Sequence, residues 1–393
     1  MKEAPKKPKC LHITTIDLTA YCFLRTWFTY LREHGFDVTL STTVQQFRKE
    51  LEETGARVVD IPISRSANPV SDFISLIKLM SFIKKEKFDS VHTYTTKAGF
   101  VGRLAAKLSG VPIIVHTIFE LPQNSARNPL LKFAYKKMEQ LAALWADHFI
   151  TISTFNQKQI SDERILNTSK LDLIPEGLVT ENYEAVNNSV PDKKKELGIP
   201  ENAFVIGTVA RLEAAKGYPY LLEAAKKILE TKKTHDNRDI YFVAVGKGRM
   251  QPQLEEKAKE LGISDRMIFT GFRDDMWEIL RTFDIFALPS IWEGQGVVLL
   301  EAMCYSKPVV ASDVGGITDV VDDGVTGILI PPADPEALAA ALIKMMDNPD
   351  MMKKMGDAGY ERVNKLFHDR DSNRKRLEVY KKLYKNRLGI TID

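Results

Sequence analysis

Short apolar runs rich in β-branched residues alternate with helical patterns along almost the whole chain, and no other feature constrains its fold as strongly. In the first half, the strand candidates are residues 10–14, 37–43, 57–63, 90–94, 113–118, 148–153 and 171–175. The helix candidates between them include residues 21–34, 69–85 and 98–109. A second series of strand candidates covers residues 203–210, 239–246, 266–271, 285–288, 308–312 and 327–330. This alternation predicts an α/β fold with doubly wound, mostly parallel sheets.

A break in the alternation at residues 184–202 divides the chain into two parts. The segment contains Asn187, Asn188, Pro191 and Pro200, which favour an irregular connection. A chain of 393 residues also exceeds the size of one typical core. We therefore predict a first domain at residues 1–185, a linker at 186–202, a second domain at 203–366 and a terminal helix at 367–393.

The predicted terminal helix carries Leu377, Tyr380, Tyr384 and Leu388 at helical spacing. Apolar residues at this spacing share one face of a helix. We therefore expect this face to pack against a domain.

The composition excludes several classes of protein. A net charge of +3 is too small to argue for nucleic-acid binding, and three scattered cysteines form neither a zinc spacing nor a disulfide framework. No uninterrupted apolar run is long enough to span a bilayer, so the sequence predicts a protein that is soluble or lies on a membrane. The only Asp-x-Asp element, at residues 369–371, precedes the terminal helix and is an ordinary start for it. We therefore expect neither a metal nor another cofactor.

Residues 289–308 read as a strand end, a loop, a helix and the next strand. Gly294 and Gly296 would let the loop backbone approach a ligand closely, and the amides of residues 295–298 would favour an anion at the helix start. Glu293 in the loop can accept hydrogen bonds from a polyol. Glu301 lies farther along the helix and can reach only a ligand group that lies across the N-terminus of that helix. The alternative is a surface loop followed by an ordinary acidic helix.

The second predicted domain begins with a strand and a loop that carries Arg211 and Lys216 just before a helix. Two cations beside a helix start suit a diphosphate, although both residues would also be ordinary on a solvated loop. Gly246 follows the next strand and is compatible with a plain turn. By pattern alone, Phe272 would be a core residue.

Residues 91–106 of the first domain read as a strand, a polar loop and a helix. Lys97 at the helix start could meet a phosphate of an acceptor, and a helix start with a solvated lysine is an equal alternative. His116 lies within a strand candidate, where it could be a satisfied core histidine. Glu120, just after that strand, could accept a hydrogen bond from a sugar or acceptor hydroxyl.

Residues 130–145 form a helical pattern with one basic and one apolar face. Such a helix ordinarily packs its apolar face on its own core. The alternative is an interfacial helix that docks on anionic lipid. The basic face holds Lys132, Lys136 and Lys137, and the apolar face holds Leu130, Ala134, Met138, Leu141 and Trp145.

Three of these segments together resemble the family 4 glycosyltransferases. They are the Glu-x7-Glu string at residues 293–301, the Gly-x-x-x-Arg-x-x-x-x-Lys-Gly element at 207–217 and the His-Thr-x-x-x-Lys-Ala-Gly run at 92–99. The last is similar to members that build capsular polysaccharides and exopolysaccharides. The resemblance implies the GT-B fold, in which two Rossmann-like domains face a cleft and a terminal helix crosses back to the first domain.

The resemblance also implies roles for individual residues. Arg211 and Lys216 would hold the donor diphosphate, Glu293 would position the transferred sugar, and these three form the catalytic set. The donor-binding set would be Glu301, Gly294, Gln295, Gly296, Val297, Gly246, Phe272 and Arg273. The candidates for the acceptor side are His116, Glu120, Lys97 and Asp17.

The chain departs from the family pattern at three places. Phe119 replaces the second histidine of a His-Thr-x-His-Gly element, with Glu120 at the glycine. The first loop, residues 14–20, lacks the common glycine pair, and Glu176 stands where asparagine is usual.

The expected function is transfer of a sugar from a nucleotide-diphosphate donor, with a UDP-sugar favoured, to a hydroxyl of a lipid-linked or other glycan acceptor. The resemblance implies retention of the anomeric configuration and no metal. The scattered cysteines fit a reducing cytosol, so we expect a cytoplasmic protein, with association at the inner face of the membrane as an alternative. An epimerase, a sugar phosphorylase or a nucleotide-binding subunit without turnover are the alternatives.

Overall fold

The computed structural model describes residues 7–64, 68–126, 128–181, 193–231 and 237–392. The chain divides into two compact units. One contains Met1–Glu176 with Asp369–Asp393, and the other contains Gly177–His368. Within the described ranges, no helix combines the length and apolarity needed to cross a bilayer.

The first unit is built on a seven-stranded sheet in which every neighbouring pair is parallel. Its strands are β1 Lys9–Ile16, β2 Asp37–Thr43, β3 Arg57–Asp60, β4 Ser90–Tyr94, β5 Ile113–Ile118, β6 His148–Thr151 and β7 Leu171–Leu173. Their order is β3-β2-β1-β4-β5-β6-β7. The order reverses between β1 and β4, and open α/β sheets bind ligands outside the carboxyl ends of the strands at such a point.

Helices cover both faces of this sheet. They are α1 Asp17–Phe23, α2 Arg25–Glu33, α3 Arg48–Glu52, α4 Pro69–Glu86, α5 Thr96–Leu108, α6 Pro129–Ala143 and α7 Thr154–Asp162. The prediction of one helix at residues 21–34 is wrong, because the chain breaks at Leu24 (φ −120°, ψ −6°) between α1 and α2. The first helix begins earlier than predicted, directly after β1, where the Asp17 carboxylate accepts the Leu18 amide at 2.8 Å.

The second unit has a six-stranded parallel sheet of the same kind. Its strands are β8 Phe204–Val209, β9 Ile240–Val245, β10 Met267–Gly271, β11 Ile285–Leu288, β12 Val309–Ser312 and β13 Gly327–Ile330, in the order β10-β9-β8-β11-β12-β13. Here the order reverses between β8 and β11. Its helices are α8 Tyr218–Thr231, α9 Gln251–Glu260, α10 Met276–Arg281, α11 Val297–Cys304, α12 Ile317–Val320, α13 Pro335–Met346 and α14 Pro349–Leu366.

The terminal helix α15, Asp369–Leu388, packs on the first unit, as its apolar spacing predicts. Leu377, Tyr380 and Tyr384 are at most 2% exposed and join the core of that unit. The hydroxyl of Tyr384 lies 2.6 Å from Ser90 Oγ on β4. The helix is therefore fixed to the sheet by both apolar and polar contacts.

Part of the predicted linker belongs to the second unit. Residues 186–192 lie outside the described residues. From residue 193 onward the chain packs on its own unit, since Lys193 pairs with Asp275 at 2.9 Å and with Glu278 at 3.0 Å. Ile199 is 3% exposed and lies in the apolar core.

Candidate functional site

Three loops meet at the carboxyl edge of the second sheet, beside the point where the strand order reverses. They follow β8, β11 and β12, and occupy residues 210–217, 289–296 and 313–316. The amide of Ile291 donates to the carbonyl of Ala215 at 2.8 Å. The amide of Gly316 donates to the carbonyl of Glu293 at 3.2 Å. The sequence predicted the first two loops as separate ligand elements, and the structure brings them together with the third.

An ion pair joins the first two loops through their side chains. Lys216 Nζ lies 2.5 Å from Glu293 Oε1, and Ser290 Oγ donates to the same oxygen at 3.0 Å. Both partners are largely buried, with side chains 18% and 11% exposed. Ser290 was missed in the sequence, although its position directly after a strand and three residues before Glu293 was a usable signal.

Arg211 extends the positive charge of this cluster. Its side chain is exposed, and its guanidinium has no hydrogen-bond or ion-pair partner among the residues that the structure describes. Since Glu293 balances Lys216, and Glu213 of the same loop pairs with Arg249 at 3.1 Å, Arg211 adds a positive charge beside the Lys216–Glu293 pair. A guanidinium in this state can bind a phosphate bidentately.

Two glycines permit the close contact of the three loops. A Cβ on Gly217 (φ 68°) would lie 1.7 Å from the carbonyl oxygen of Pro289. A Cβ on Gly315 (φ 54°) would lie 1.9 Å from the carbonyl oxygen of Glu293. Any side chain at either position would separate the loops. The contact between the loops therefore requires a glycine at position 315.

Helix α11 begins at this cluster. Gly296 occupies its N-cap position with a positive φ of 78°, and a glycine has no side chain to accept the amides of the first turn. Gly294 precedes it in the loop, while Gln295 is buried at 2% exposure. The start of α11 at Val297 therefore presents backbone N–H donors at the positive end of the helix dipole, and both favour an anion.

Glu301 lies one turn into α11. Its Oε1 accepts a hydrogen bond of 3.4 Å from Trp277 Nε1 on α10. The carboxylate is half-buried beside an indole rather than fully solvated.

Three other residues predicted to bind the donor differ from one another in what surrounds them. Gly246 (φ 134°) lies where a Cβ would approach the carbonyl oxygen of Ala210 to 2.2 Å, so packing of the strand ends requires it. Phe272 is 39% exposed, and its interpretation as a core residue is wrong. Arg273 is neutralised by Asp275 at 2.6 Å and Glu196 at 2.5 Å.

The carboxyl edge of the first sheet carries Lys97. Thr95, between β4 and α5, has φ 61° and ψ 158°, a region that non-glycine residues rarely adopt. Its hydroxyl lies 2.8 Å from Thr15 Oγ1 near the end of β1, at the reversal of strand order. Lys97 pairs with Asp72 on α4 at 2.8 Å, a partner that the sequence did not reveal.

His116 is a core histidine, the alternative that the sequence left open. It is 3% exposed, and its Nδ1 lies 3.0 Å from the carbonyl oxygen of Thr93. Burial, reinforced by the charge of Arg103, lowers the pKa of His116 well below its usual value. A Cβ on Gly99 would approach the ring to 2.5 Å, so α5 covers this histidine closely. The structure therefore corrects its placement among the acceptor candidates.

Asp17 also has a structural role in place of the expected acceptor contact. Its Oδ2 accepts the amides of Gln45, Gln46 and Phe47 at 2.7, 2.7 and 3.0 Å. Burial acts to raise the pKa of Asp17, but these amides and that of Leu18 outweigh it and lower the pKa below its usual value. The carboxylate thus holds the loop after β2.

The other two residues of this region follow β5. Glu120 is half-buried. Phe119, which replaces the family histidine, packs against Phe23 with ring centroids 5.3 Å apart. Its carbonyl accepts a hydrogen bond of 3.0 Å from Asn156 Nδ2.

The apolar face of α6 is exposed, so the expectation that it covers its own core is wrong. On that face, Leu130 is 79% exposed, Met138 is 43% exposed and Leu141 is 50% exposed. The buried residues of the helix are Glu139 and Ala142. Periodicity defines an apolar face but does not show whether another element covers it.

Family models match both units. The model described as glycosyl transferases group 1 matches residues 189–362, and the model described as glycosyl transferase 4-like matches residues 12–144. The chain is 32% identical over 323 residues to the UDP-Gal:alpha-D-GlcNAc-diphosphoundecaprenol alpha-1,3-galactosyltransferase of Escherichia coli, covering 82% of this chain and 83% of that protein. It is 25% identical over 367 residues to the capsular polysaccharide biosynthesis glycosyltransferase CapM of Staphylococcus aureus, covering 92% and 94% of the two chains.

Solved structures show the same fold. A glycosyltransferase from Rickettsia africae aligns with a TM-score of 0.77 at 22% identity, over 97% of this chain and 100% of that one. Anabaena HepE, crystallised with UDP and glucose, aligns with a TM-score of 0.79 at 20% identity, over 95% and 100%. The two parallel sheets are therefore the Rossmann-like domains of the GT-B fold, as expected, and the chain belongs to the family 4 glycosyltransferases.

Proposed function

We propose that this glycosyltransferase transfers a sugar from a UDP-sugar to a hydroxyl of a lipid-linked glycan intermediate, with retention of the anomeric configuration. The observation that carries the proposal is the buried pair of Lys216 and Glu293 beside the exposed Arg211. The names of the Escherichia coli relative, with its UDP-galactose donor and diphosphoundecaprenol acceptor, and of CapM support these substrate classes.

The leaving diphosphate would bind where positive charge is concentrated. Arg211, Lys216 and the amides at the start of α11 would stabilise the charge that grows on its oxygens during transfer. Interactions that strengthen in the transition state lower the barrier. We propose that this cluster acts without a metal ion or another cofactor.

The two glutamates would orient the rest of the donor. Glu293 would accept hydrogen bonds from the transferred sugar while its other contacts hold Lys216 and Ser290 in place. Glu301, beside Trp277, would accept from the ribose. Attack from the side of the leaving group, with a donor phosphate oxygen taking the proton, needs no imidazole base, and the buried, neutral His116 supports this route.

We also propose that the first unit contacts an anionic membrane at its cytoplasmic face. The exposed apolar side chains of α6 and of α4, where Val70 is 71% and Phe73 is 63% exposed, support this contact. Lys132, Lys136 and Lys137 lie on α6 among them and suit anionic headgroups.

Calorimetric titration with UDP, GDP and ADP tests the donor site. UDP is expected to bind wild type at a micromolar dissociation constant, about −8 kcal/mol. Arg211→Ala should weaken binding by at least about tenfold, because it removes a charged contact to phosphate. The matched control is Arg266→Ala, whose guanidinium pairs with Asp239 at 3.3 Å beside the amino end of β10. Binding by none of the nucleotides, or equal losses in both variants, contradicts the donor site.

Incubation with UDP-sugars, with and without acceptor, distinguishes the reaction classes. A transferase gives product only with acceptor, and NMR of the new linkage reports whether the configuration is retained. Interconversion of the donor alone would indicate an epimerase, and dependence on inorganic phosphate a phosphorylase. Nucleotide binding without transfer or hydrolysis would indicate a binding subunit. We expect transfer to continue in EDTA, and a loss restored by Mg²⁺ would contradict the metal-free mechanism.

A further inference from the structure

Trp277 on α10 contacts the carboxylate that would bind the donor ribose. Its indole Nε1 donates to Glu301 Oε1 on α11 across 3.4 Å. The two residues are 24 positions apart and belong to different helices. Trp277 is not part of any motif that predicted the donor site, and only the fold brings it beside Glu301.

The geometry of α11 directs Glu301 toward the donor cluster. Side chains of an α-helix lean toward its N-terminus, and Glu301 lies one turn after Val297, where α11 begins. The carboxylate therefore leans back over the first turn, whose amides belong to the donor cluster. The side chain is half-buried, so it remains open to solvent on one side while it contacts the indole.

Trp277 can fix the direction of that carboxylate because its own ring is held in place. The residue is half-buried and packs against the apolar core of the second unit. An indole has few rotatable side-chain bonds, and its N–H lies in the plane of the ring and can only donate. Packing of the ring therefore determines where the N–H points.

Ion pairs fix the start of α10, the helix that carries Trp277. Arg273 binds the carboxylate of Asp275 through Nε at 2.7 Å and through Nη2 at 2.6 Å. Lys193 lies 2.9 Å from Asp275 and 3.0 Å from Glu278. These contacts tie α10 to the loop after β10 and to the segment before β8. Arg273, which was expected to bind the donor, instead holds the helix that carries the indole.

One indole N–H leaves Glu301 able to accept further hydrogen bonds. An ionised carboxylate has about four acceptor positions on its two oxygens, so it can accept from Trp277 and from hydroxyls together. The 3.4 Å contact is long for an N–H···O bond, so its main effect is on orientation. A carboxylate that is already oriented loses less rotational freedom when a hydroxyl binds to it.

We propose that Trp277 positions Glu301 for the ribose hydroxyls and thereby strengthens the preference of the donor site for a ribonucleotide over its deoxy analogues. The inference rests on the proposed function, because it assumes that Glu301 binds the donor ribose. Trp277 acts through Glu301 and is therefore a positioning residue. The alternative role of Trp277 is to fill the core beside α10.

Calorimetric titration of the full chain with UDP, 2′-deoxy-UDP and 3′-deoxy-UDP tests the proposal. Wild type should bind UDP at least about tenfold more tightly than one of the deoxy analogues, because a hydrogen bond to a charged group is lost. Glu301→Ala should remove this preference. Trp277→Phe keeps an aromatic ring without the N–H, and it should reduce the preference by about threefold or more.

Two further proteins separate the N–H from the volume of the ring. Replacing Trp277 with benzothienylalanine keeps both fused rings and removes only the N–H, so the preference should fall as in Trp277→Phe. Trp145→Phe is the matched control, at a half-buried indole of the first unit that packs against Phe100 with ring centroids 5.1 Å apart. This control should keep the preference of wild type.

The inference is overturned if the preference is the same in wild type and in both Trp277 proteins. A preference that falls in Trp277→Phe but not with benzothienylalanine would assign the effect to lost packing, and an equal fall in Trp145→Phe would make it nonspecific. Either result overturns the positioning role. UDP affinity separates these failures from failure of the proposed function. Wild type that binds UDP with no dependence on Trp277 contradicts this inference alone. Absence of UDP binding contradicts the donor site, and equal binding of all three nucleotides contradicts the ribose contact of Glu301, so in both cases the inference is lost as well.

Discussion

Lys216 Nζ lies 2.5 Å from Glu293 Oε1, although the two residues are 77 positions apart and follow different strands. The contact joins the loops after β8 and β11 at the reversal of strand order. Because Glu293 offsets the charge of Lys216, removing either residue would change the net charge beside a bound diphosphate.

The first prediction concerns this coupling. Lys216→Met should lower kcat by about 100- to 1000-fold, as expected for loss of one group that stabilises transition-state charge. It should also weaken UDP binding strongly, because the Glu293 carboxylate would then repel the diphosphate. The double variant Lys216→Met with Glu293→Gln should bind UDP more tightly than Lys216→Met alone. Calorimetry and steady-state kinetics measure both effects.

A lysine in an exposed pair provides the control for that experiment. Lys353 pairs with Asp357 at 2.6 Å on α14, and its side chain is 77% exposed. Lys353→Met should leave UDP binding and kcat unchanged. Strictly additive effects of the Lys216 and Glu293 substitutions on UDP affinity would show that the pair is not coupled.

The second prediction separates loop contact from backbone strain. Gly217→Ala and Gly262→Ala both place alanine at a positive φ, 68° and 69°, and each should lose about 1–2 kcal/mol of stability from that strain. Only Gly217→Ala would also collide with the Pro289 carbonyl, whereas a Cβ on Gly262 has no neighbour within 4 Å. We therefore expect only Gly217→Ala to lose UDP affinity, by calorimetry at a temperature where both variants are folded. Equal affinities would show that the loops need not touch.

Sequence patterns predicted the sheets well because buried parallel strands are short apolar runs with sharp ends. The predicted bounds of β2, β4, β5, β11 and β13 agree with the structure. The loops at residues 210–217 and 289–296 were also predicted, since motif residues lie next to strand ends. Their contacts with one another depend on strand order, which a single sequence does not contain.

Other features could not be predicted because they depend on partners that are distant in sequence. The role of Asp17 depends on amides about 30 positions away, and the exposure of α6 depends on the absence of a covering element among the described residues. The departure at Glu176 was recognised, but its explanation lies in Arg376. That residue is 200 positions later, in a helix where lysine and arginine are frequent.

The third prediction is a loss of stability in acid. Burial lowers the pKa of His12 to about 3, and it also lowers the pKa values of His92 and His116 well below the usual value. The unfolded chain binds protons at these histidines below a pH of about 6.5, while the folded chain does not. Above that pH, the buried neutral histidines do not reduce the free energy of unfolding. As the pH falls below it, the free energy of unfolding decreases by up to about 1.4 kcal/mol per pH unit for each histidine.

Urea unfolding between pH 8 and pH 5 measures this slope. His12→Asn keeps a polar atom near the Tyr94 hydroxyl, which lies 3.0 Å from His12 Nδ1, but removes one titrating group. Below pH 6.5, the free energy of unfolding of the variant should fall less steeply with pH than that of wild type. The difference in slope should correspond to about one proton. The lowered pKa of Asp17 adds a further loss only below a pH of about 4. Identical slopes in wild type and variant would contradict the buried, neutral state of His12.

The last prediction concerns the ion pair that fastens the terminal helix to the first unit. Arg376 Nη2 on α15 lies 2.5 Å from Glu176 Oε1, and both side chains are 5% exposed. Arg376→Met should destabilise the protein by about 3–5 kcal/mol, because it leaves the Glu176 carboxylate buried without its counterion. Adding Glu176→Gln should restore much of that loss, since the buried group is then neutral. Arg374→Met, which breaks an exposed pair with Asp371, should change stability by less than about 1 kcal/mol. Urea unfolding of the three variants measures these differences, and a double variant no more stable than Arg376→Met would show that lost packing of the arginine, rather than the unpaired charge, dominates.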